Sequence, residues 1–282
     1  MNDALPRTPK KVSIAGNIGS GKSSVARRVV EITEWPLVST GSLFRELASR
    51  RGLTVLELNQ LAESDPTIDA EVDGNLIRLA ATDETAVIDS RLAWHFVPQS
   101  FKVYLVVDTK VAVGRVYGAG RADERYSSVE EATAEVLARQ AVEAERYHDT
   151  YGVNVDDWRN YDLVIDTSRA GVDTVAEVVI AHLDEHPPAE SPRPTCHFDP
   201  ARLMASPDTV GAPTIDPIVQ VAVHDDQIAV VSGHELVARA LDRDDRLIRC
   251  ELIAFEDEEV DPGVSASEFV SAIVAERDLD EL

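Results

Sequence analysis

Gly16-Asn17-Ile18-Gly19-Ser20-Gly21-Lys22-Ser23 decides how this chain is read. The stretch fits G-x-x-x-x-G-K-[ST]. Before it, Lys11-Val12-Ser13-Ile14-Ala15 has the texture of a short buried strand. After it, Ser24-Val25-Ala26-Arg27-Arg28-Val29-Val30-Glu31 sets apolar residues at helical spacing. Strand, glycine loop and helix in that order distinguish a phosphate-binding loop from a chance match. The glycines open backbone conformations closed to other residues, so the chain can approach a phosphate closely. Successive N–H groups then form a concave anion site, and the following helix adds the positive end of its dipole. The motif assigns Lys22 to the β- and γ-phosphates and Ser23 to Mg²⁺. The nucleotide site is therefore expected at Gly16, Asn17, Ile18, Gly19, Ser20, Gly21, Lys22, Ser23 and Ser24. The competing reading is a glycine-rich turn before an ordinary helix, and the flanks weigh against it.

Composition sets the outer bounds. The 282 residues are 44% hydrophobic, enough for a packed core in one large domain or two. Aromatics are 5%, so that core must be aliphatic. The formal net charge of −24 argues against general nucleic-acid binding, which rests on Lys and Arg neutralising phosphates. A local basic pocket remains compatible with it. No apolar run is long enough to span a membrane, and Met1–Arg7 has no apolar signal core. Cys196 and Cys250 stand far apart and match no C-x-x-C spacing, so a reduced, cytoplasmic protein is the simplest expectation.

Taken in order, residues 1–10 read as a polar tail. Trp35–Ser39 reads as a second strand running into a helix from Thr40, on which Arg45 suits a phosphate or is a solvated arginine. Thr54-Val55-Leu56-Glu57 is a capping box that opens a helix, and Asp65-Pro66 ends it and starts another. Asp69 and Asp73 share a face of that helix and either line a substrate cleft or meet solvent. Thr85–Ile88 is a buried strand with Asp89-Ser90-Arg91 at its carboxyl end, where open α/β sheets bind ligands. There Asp89 could hold Mg²⁺ through water and Arg91 could clamp a phosphate, or the two could simply close a turn. Phe101–Val107 is the clearest strand. Gly118–Ser127 breaks the helical pattern with two arginines among glycines, as a lid would. On the long helix from Val129, Arg139, Glu143 and Arg146 share a face, as a cluster or as a surface ion-pair ladder. Tyr161–Ile165 is a fifth strand, followed by a helix to Glu185. Strands alternating with helices imply a parallel, doubly wound sheet.

Residues 186–196 read as a proline-rich linker, which gives a first domain over 11–185. A small α+β module follows over 197–263, with strands at 218–223, 227–231 and 247–253 and a helix from Glu235. Residues 264–282 read as an acidic helix and tail.

Residues 12–185 resemble the cytidylate kinase family, especially the short form typical of archaea. The loop, Ser39–Arg45, Asn59–Asp69, Ile88–Leu92, Arg146–Val153 and Tyr161–Thr167 carry the resemblance in family order. It implies a P-loop NTPase fold with a five-stranded parallel sheet and a helical lid. It also implies transfer of the ATP γ-phosphoryl group, with Mg²⁺, to CMP or dCMP. Carried over, Thr40, Arg45 and Arg91 hold the monophosphate, and Asp69 counts among the expected substrate-binding residues. Arg139, Glu143 and Arg146 lie on the lid side, Glu143 reading the cytosine amino group. Lys22, Arg91, Arg139 and Arg146 meet the transferring phosphoryl. The chain departs from the family at Ser42, usually Asp, and at Ser90, usually Gly. It departs again at Val142 and Ala144, where a polar residue and an arginine are common. The C-terminal module resembles a ParB/sulfiredoxin-type domain through Pro200–Pro207, its paired strands and Val231–Leu241, but it lacks the arginines that usually follow the glycine turn. An accessory module with an unidentified partner is the expectation. Two alternatives stay open: a kinase for another small or modified nucleotide, and an ATP-binding regulator.

Overall fold

The computed structural model describes residues 9–62, 65–118, 128–185, 193–205 and 218–280. The first half alternates strands and helices: β1 (Lys11–Gly16), α1 (Lys22–Thr33), β2 (Leu37–Ser39), α2 (Thr40–Arg51), α3 (Val55–Ala62), α4 (Pro66–Ala80), β3 (Ala86–Asp89) and α5 (Ala93–Phe96). There follow β4 (Phe101–Val106), α6 (Thr109–Gly118), α7 (Val129–Tyr151), β5 (Leu163–Asp166) and α8 (Val172–Glu185). Local signals explain several boundaries. Thr54 and Glu57 exchange capping hydrogen bonds at the start of α3. The Asp65 side chain caps α4, with Pro66 in its first turn. Strands β1, β4 and β5 are buried almost throughout, as central parallel strands covered on both faces must be.

The C-terminal part contributes β6 (Thr195–Phe198), β7 (Leu203–Met204), β8 (Val219–His224), β9 (Gln227–Ser232), α9 (His234–Asp242), β10 (Ile248–Phe255), the small pair β11 (Glu259–Asp261) and β12 (Val264–Ser265), and α10 (Ala266–Asp280). One sheet runs through both parts in the order β2-β3-β1-β4-β5-β6-β10-β8-β9-β7. The strands from β2 to β6 are parallel along that order. The junction differs from the linker reading of 186–196: Thr195 and Cys196 already belong to β6, and 186–192 lie outside the described residues. The physical reason is the edge of β5, which alone would present unpaired N–H and C=O groups. β6 covers it in parallel register, and the Thr195 N–H donates to the Asp162 carbonyl at 3.0 Å.

Packing follows the sheet. On one face Val12, Ile14, Val25, Val29, Leu105 and Val179 unite β1, β4, α1 and α8. On the other, Tyr104, Trp158 and Tyr161 of the first part share a cluster with Phe198, Val221 and Phe255 of the second. Each such side chain contributes about 1.5–3 kcal/mol by leaving water, so the two parts share a core. Cys196 and Cys250, far apart in sequence, are direct cross-strand neighbours on β6 and β10, and both are free and buried. Among the described residues, no helix is long and apolar enough to cross a membrane.

Candidate active site

β1, β3, β4 and β5 run parallel, so their carboxyl ends open on one side, where ligands of open α/β sheets bind. The loop after β1 leans directly on β4. Gly16 has φ +139°, and a Cβ there would lie 2.1 Å from the Leu105 carbonyl oxygen. Only glycine fits. The Asn17 N–H donates to that same carbonyl at 3.1 Å and pins the loop. Gly21, at φ 82°, then turns the chain into α1. The Lys22 ammonium donates to the carbonyls of Gly16 at 2.7 Å and Asn17 at 3.0 Å, so it already lies over the loop. The buried Ser20 hydroxyl and Asn17 side-chain oxygen have no hydrogen-bond partner among the described residues. Orphaned polar atoms in a glycine-rich loop that leads into a helix N-terminus fit a phosphate chain.

Ser23 Oγ donates to Asp89 Oδ2 at 2.7 Å, and Ser39 Oγ approaches the same oxygen at 3.5 Å. Two oxygen ligands beside the phosphate loop suit Mg²⁺, a hard cation that keeps several waters. Ser39 also caps α2, which brings Thr40, its first residue, to the same corner. Arg45 lies further along α2, exposed, with its guanidinium on Ser42 Oγ at 3.0 Å.

Arg91 and Glu143 form an ion pair between the end of β3 and α7. They line a narrow cleft with Gly16, Asn17, Tyr104 and Asp156. The Tyr104 hydroxyl donates to Asp156, and burial, with Asp156 beside it, holds that phenol well above its ordinary range. Ala144 lines the cleft as well, whereas Val142 points to solvent. Further along α7, Arg146 lies 4.0 Å from Asp69 and over the ring of Tyr147. The Arg139 side chain and residues 119–127, where the lid was expected, lie outside the described residues.

The structure thus gathers the anticipated residues in three groups: Lys22, Ser23, Asp89 and Thr40 at the phosphate loop, Arg91 with Glu143, and Arg146 with Asp69. Arg45 stands apart from these ion pairs, on Ser42. Two further features stand out: Asp73, on the Asp69 face of α4, and Arg115, which carries no clear signal in the sequence. Asp73 accepts from the Tyr151 hydroxyl, and burial raises its carboxyl above the usual range. Arg115, on α6, reaches Gly19 O at 3.1 Å and Thr167 O at 2.6 Å, tying the phosphate loop to the segment after β5. Burial lowers its pKa, with the charge of Asp166 working against that. Its one visible cue was its place just before the glycine-rich break.

Comparison with known proteins points the same way. Residues 11–169 match the family model described as the cytidylate kinase-like family. A cytidylate kinase of Methanothermobacter thermautotrophicus is 36% identical over 158 residues, 56% of this chain and 95% of that protein. One from Halobacterium salinarum is 35% identical over 184 residues, 65% of this chain and 94% of that one. An S-adenosylmethionine-dependent nucleotide dehydratase of Lacinutrix mariniflava is 35% identical over 173 residues, 61% of this chain but 35% of the longer protein.

Proposed function

The chain belongs to the cytidylate kinase-like family, as a phosphotransferase acting on nucleoside monophosphates, and from that premise we propose that its acceptor is CMP or dCMP, phosphorylated by Mg-ATP to CDP or dCDP. The observation that carries the reading is the Ser23–Asp89 contact beside the loop Gly16–Ser23. It offers a phosphate cradle and a cation site at one corner. ATP with Mg²⁺ supplies the phosphoryl group and neutralises its charge.

The chain positions and screens, since phosphoryl transfer asks little covalent chemistry of a protein. The loop Gly16–Ser24 holds the donor phosphates. Lys22 shifts its ammonium from the Gly16 and Asn17 carbonyls onto them. Ser23 and Asp89 would hold the cation, which would neutralise charge on the donor phosphates. Thr40, Arg45 and Arg91 hold the acceptor phosphate. The neutral Ser42 hydroxyl, where relatives usually carry Asp, leaves the charge of Arg45 uncancelled. As Arg91 engages phosphate, Glu143 is released to accept from the cytosine amino group. Asp69 orients Arg146, and Arg139 and Arg146 meet the charge on the transferring group, where one well-placed donor is worth about 3 kcal/mol. We also place the reaction in the cytoplasm, in keeping with the two free thiols. For the C-terminal part, the β8–β9 pair and the glycine turn into α9 support a ParB-like reading.

One observation favours a different acceptor, such as a modified nucleotide: Ala144 lines the cleft where relatives often carry arginine. An ADP-release assay with Mg-ATP and CMP, dCMP, UMP, AMP or GMP tests both. Turnover confined to CMP and dCMP supports the proposal. Turnover on another acceptor alone replaces it, and ATP binding with no turnover would make the protein a nucleotide-binding regulator.

A further inference from the structure

We infer that Arg202, in the C-terminal part, is a positioning residue for the nucleoside end of the ATP site. The inference rests on the kinase reading and adds to it a task for the appended part.

Ser23 and Asp89 mark the cation end, on the β3 side of the phosphate loop. In the sheet, β1 has β3 on one side and β4, then β5, on the other. Terminal phosphates at Lys22 and Ser23 therefore leave the nucleoside toward β4 and β5. The segment 166–169 follows β5 there, and Arg115 joins it to Gly19 of the phosphate loop. Thr167 and Ser168 border the ground that the nucleoside must cross.

That segment takes its shape from Asp166, which is fully buried. Asp166 Oδ1 accepts from the Ser168 N–H at 2.8 Å and from its hydroxyl at 2.6 Å. Ser168 Oγ in turn accepts from the Asp108 N–H at 2.8 Å, just beyond β4. The other oxygen, Oδ2, takes its cation from Arg202 Nη1 at 3.0 Å. Arg202 ends the 3-10 turn Pro200–Arg202, and its Nη2 donates to the Asp226 carbonyl in the β8–β9 turn at 3.1 Å. A buried carboxylate needs such a partner, because an unpaired charge out of water is costly. Arg202 lies beyond the residues 11–169 that match the family, so this part of the chain supplies a group that the matched segment does not contain. The far end of the segment is held from the same side: Arg169 reaches Asp199 at 3.3 Å and Asp244 at 2.6 Å. The relay runs from Arg202 through Asp166, Thr167–Ser168 and Arg115 to Gly19. The acceptor residues Arg91, Glu143 and Arg146 are outside it.

The test is the split between the two substrates in the full-length protein. Arg202→Gln should raise KM for ATP about tenfold, a common size for coupling between sites. KM for CMP and kcat should stay within about twofold. The double variant Asp166→Asn/Arg202→Gln removes the buried charge along with its partner. It should show the same split, and it carries the test if the single variant does not fold. Arg159→Gln breaks a different contact between the parts, the pair with Glu258 at 3.1 Å, and should leave KM for ATP unchanged. An unaltered KM for ATP in the Arg202 variants overturns the inference. So does a common fall in every parameter that Arg159→Gln reproduces. Titration calorimetry with Mg-ATP keeps the two readings apart. If the wild type turns over no monophosphate, the kinase reading fails, while weaker ATP binding by Arg202→Gln still upholds the relay and unchanged binding still removes it.

Discussion

The Ser23 hydroxyl donates to the Asp89 carboxylate at 2.7 Å, although the two residues are 66 positions apart. Parallel pairing of β1 with β3 produces the contact, because it brings the start of α1 beside the end of β3. Asp89→Asn keeps the shape and removes the charge. It should raise the Mg²⁺ concentration needed for half-maximal turnover about 10–100-fold, the usual cost of losing a group that orients a metal's shell. A Mg²⁺ titration at saturating ATP reads this directly, and an unchanged midpoint would remove Asp89 from the cation site.

Lys22 rests on two carbonyls of its own loop. Lys22→Ala should therefore lower kcat about 10²–10³-fold, as when one donor to developing charge is lost. The melting temperature should move by only a few degrees, roughly what 1 kcal/mol produces in a domain of this size. A collapse of the fold would mean that the lysine serves the loop rather than the phosphates.

Much of this corner was legible in the sequence, and the reason is local. Glycine spacing, apolar runs and the Thr54–Glu57 capping box are signals written over a few residues. The missing features are all long-range. β6 is four residues long and sits behind prolines, so its pairing with β5 leaves no periodic trace. Arg115 looks like any cation on an amphipathic helix until its contacts with Gly19 and Thr167 are seen. Cys196 and Cys250 gave no spacing signal because a register between distant strands, not a loop, brings them together.

Arg91 and Glu143 hold each other across the cleft, so their variants should separate two functions. Arg91→Ala should raise KM for CMP by about 10–100-fold, from loss of a charge-assisted contact of about 1.5–3 kcal/mol, with KM for ATP little changed. Glu143→Gln keeps Arg91 and offers an amide to the base, which narrows the preference for CMP over UMP. Relative kcat/KM for the two nucleotides measures it. Unchanged discrimination would take the base-reading role away from Glu143.

The junction between the two parts carries a titratable pair. His182 on α8 and His197 on β6 face each other with their Nε2 atoms 2.9 Å apart, so one ring donates and the other accepts. Burial, then the neighbouring His182 and Arg249, lowers the His197 pKa to about 4. His182 is also lowered, by burial first, with Glu185 opposing and Arg249 adding to the effect. A folded pKa below the unfolded value means that the unfolded chain binds the proton first. The stability is therefore complete above about pH 6.5 and is lost as pH falls toward 4. For His197 the gap amounts to on the order of 3 kcal/mol. His197→Gln retains a hydrogen-bonding side chain but cannot titrate. Thermal melts between about pH 7 and about pH 5 should show a clear acid loss in the wild type and a smaller one in this variant. Equal losses would place the acid sensitivity elsewhere in the fold, whereas a reduced loss would assign it to the His182–His197 pair between α8 and β6.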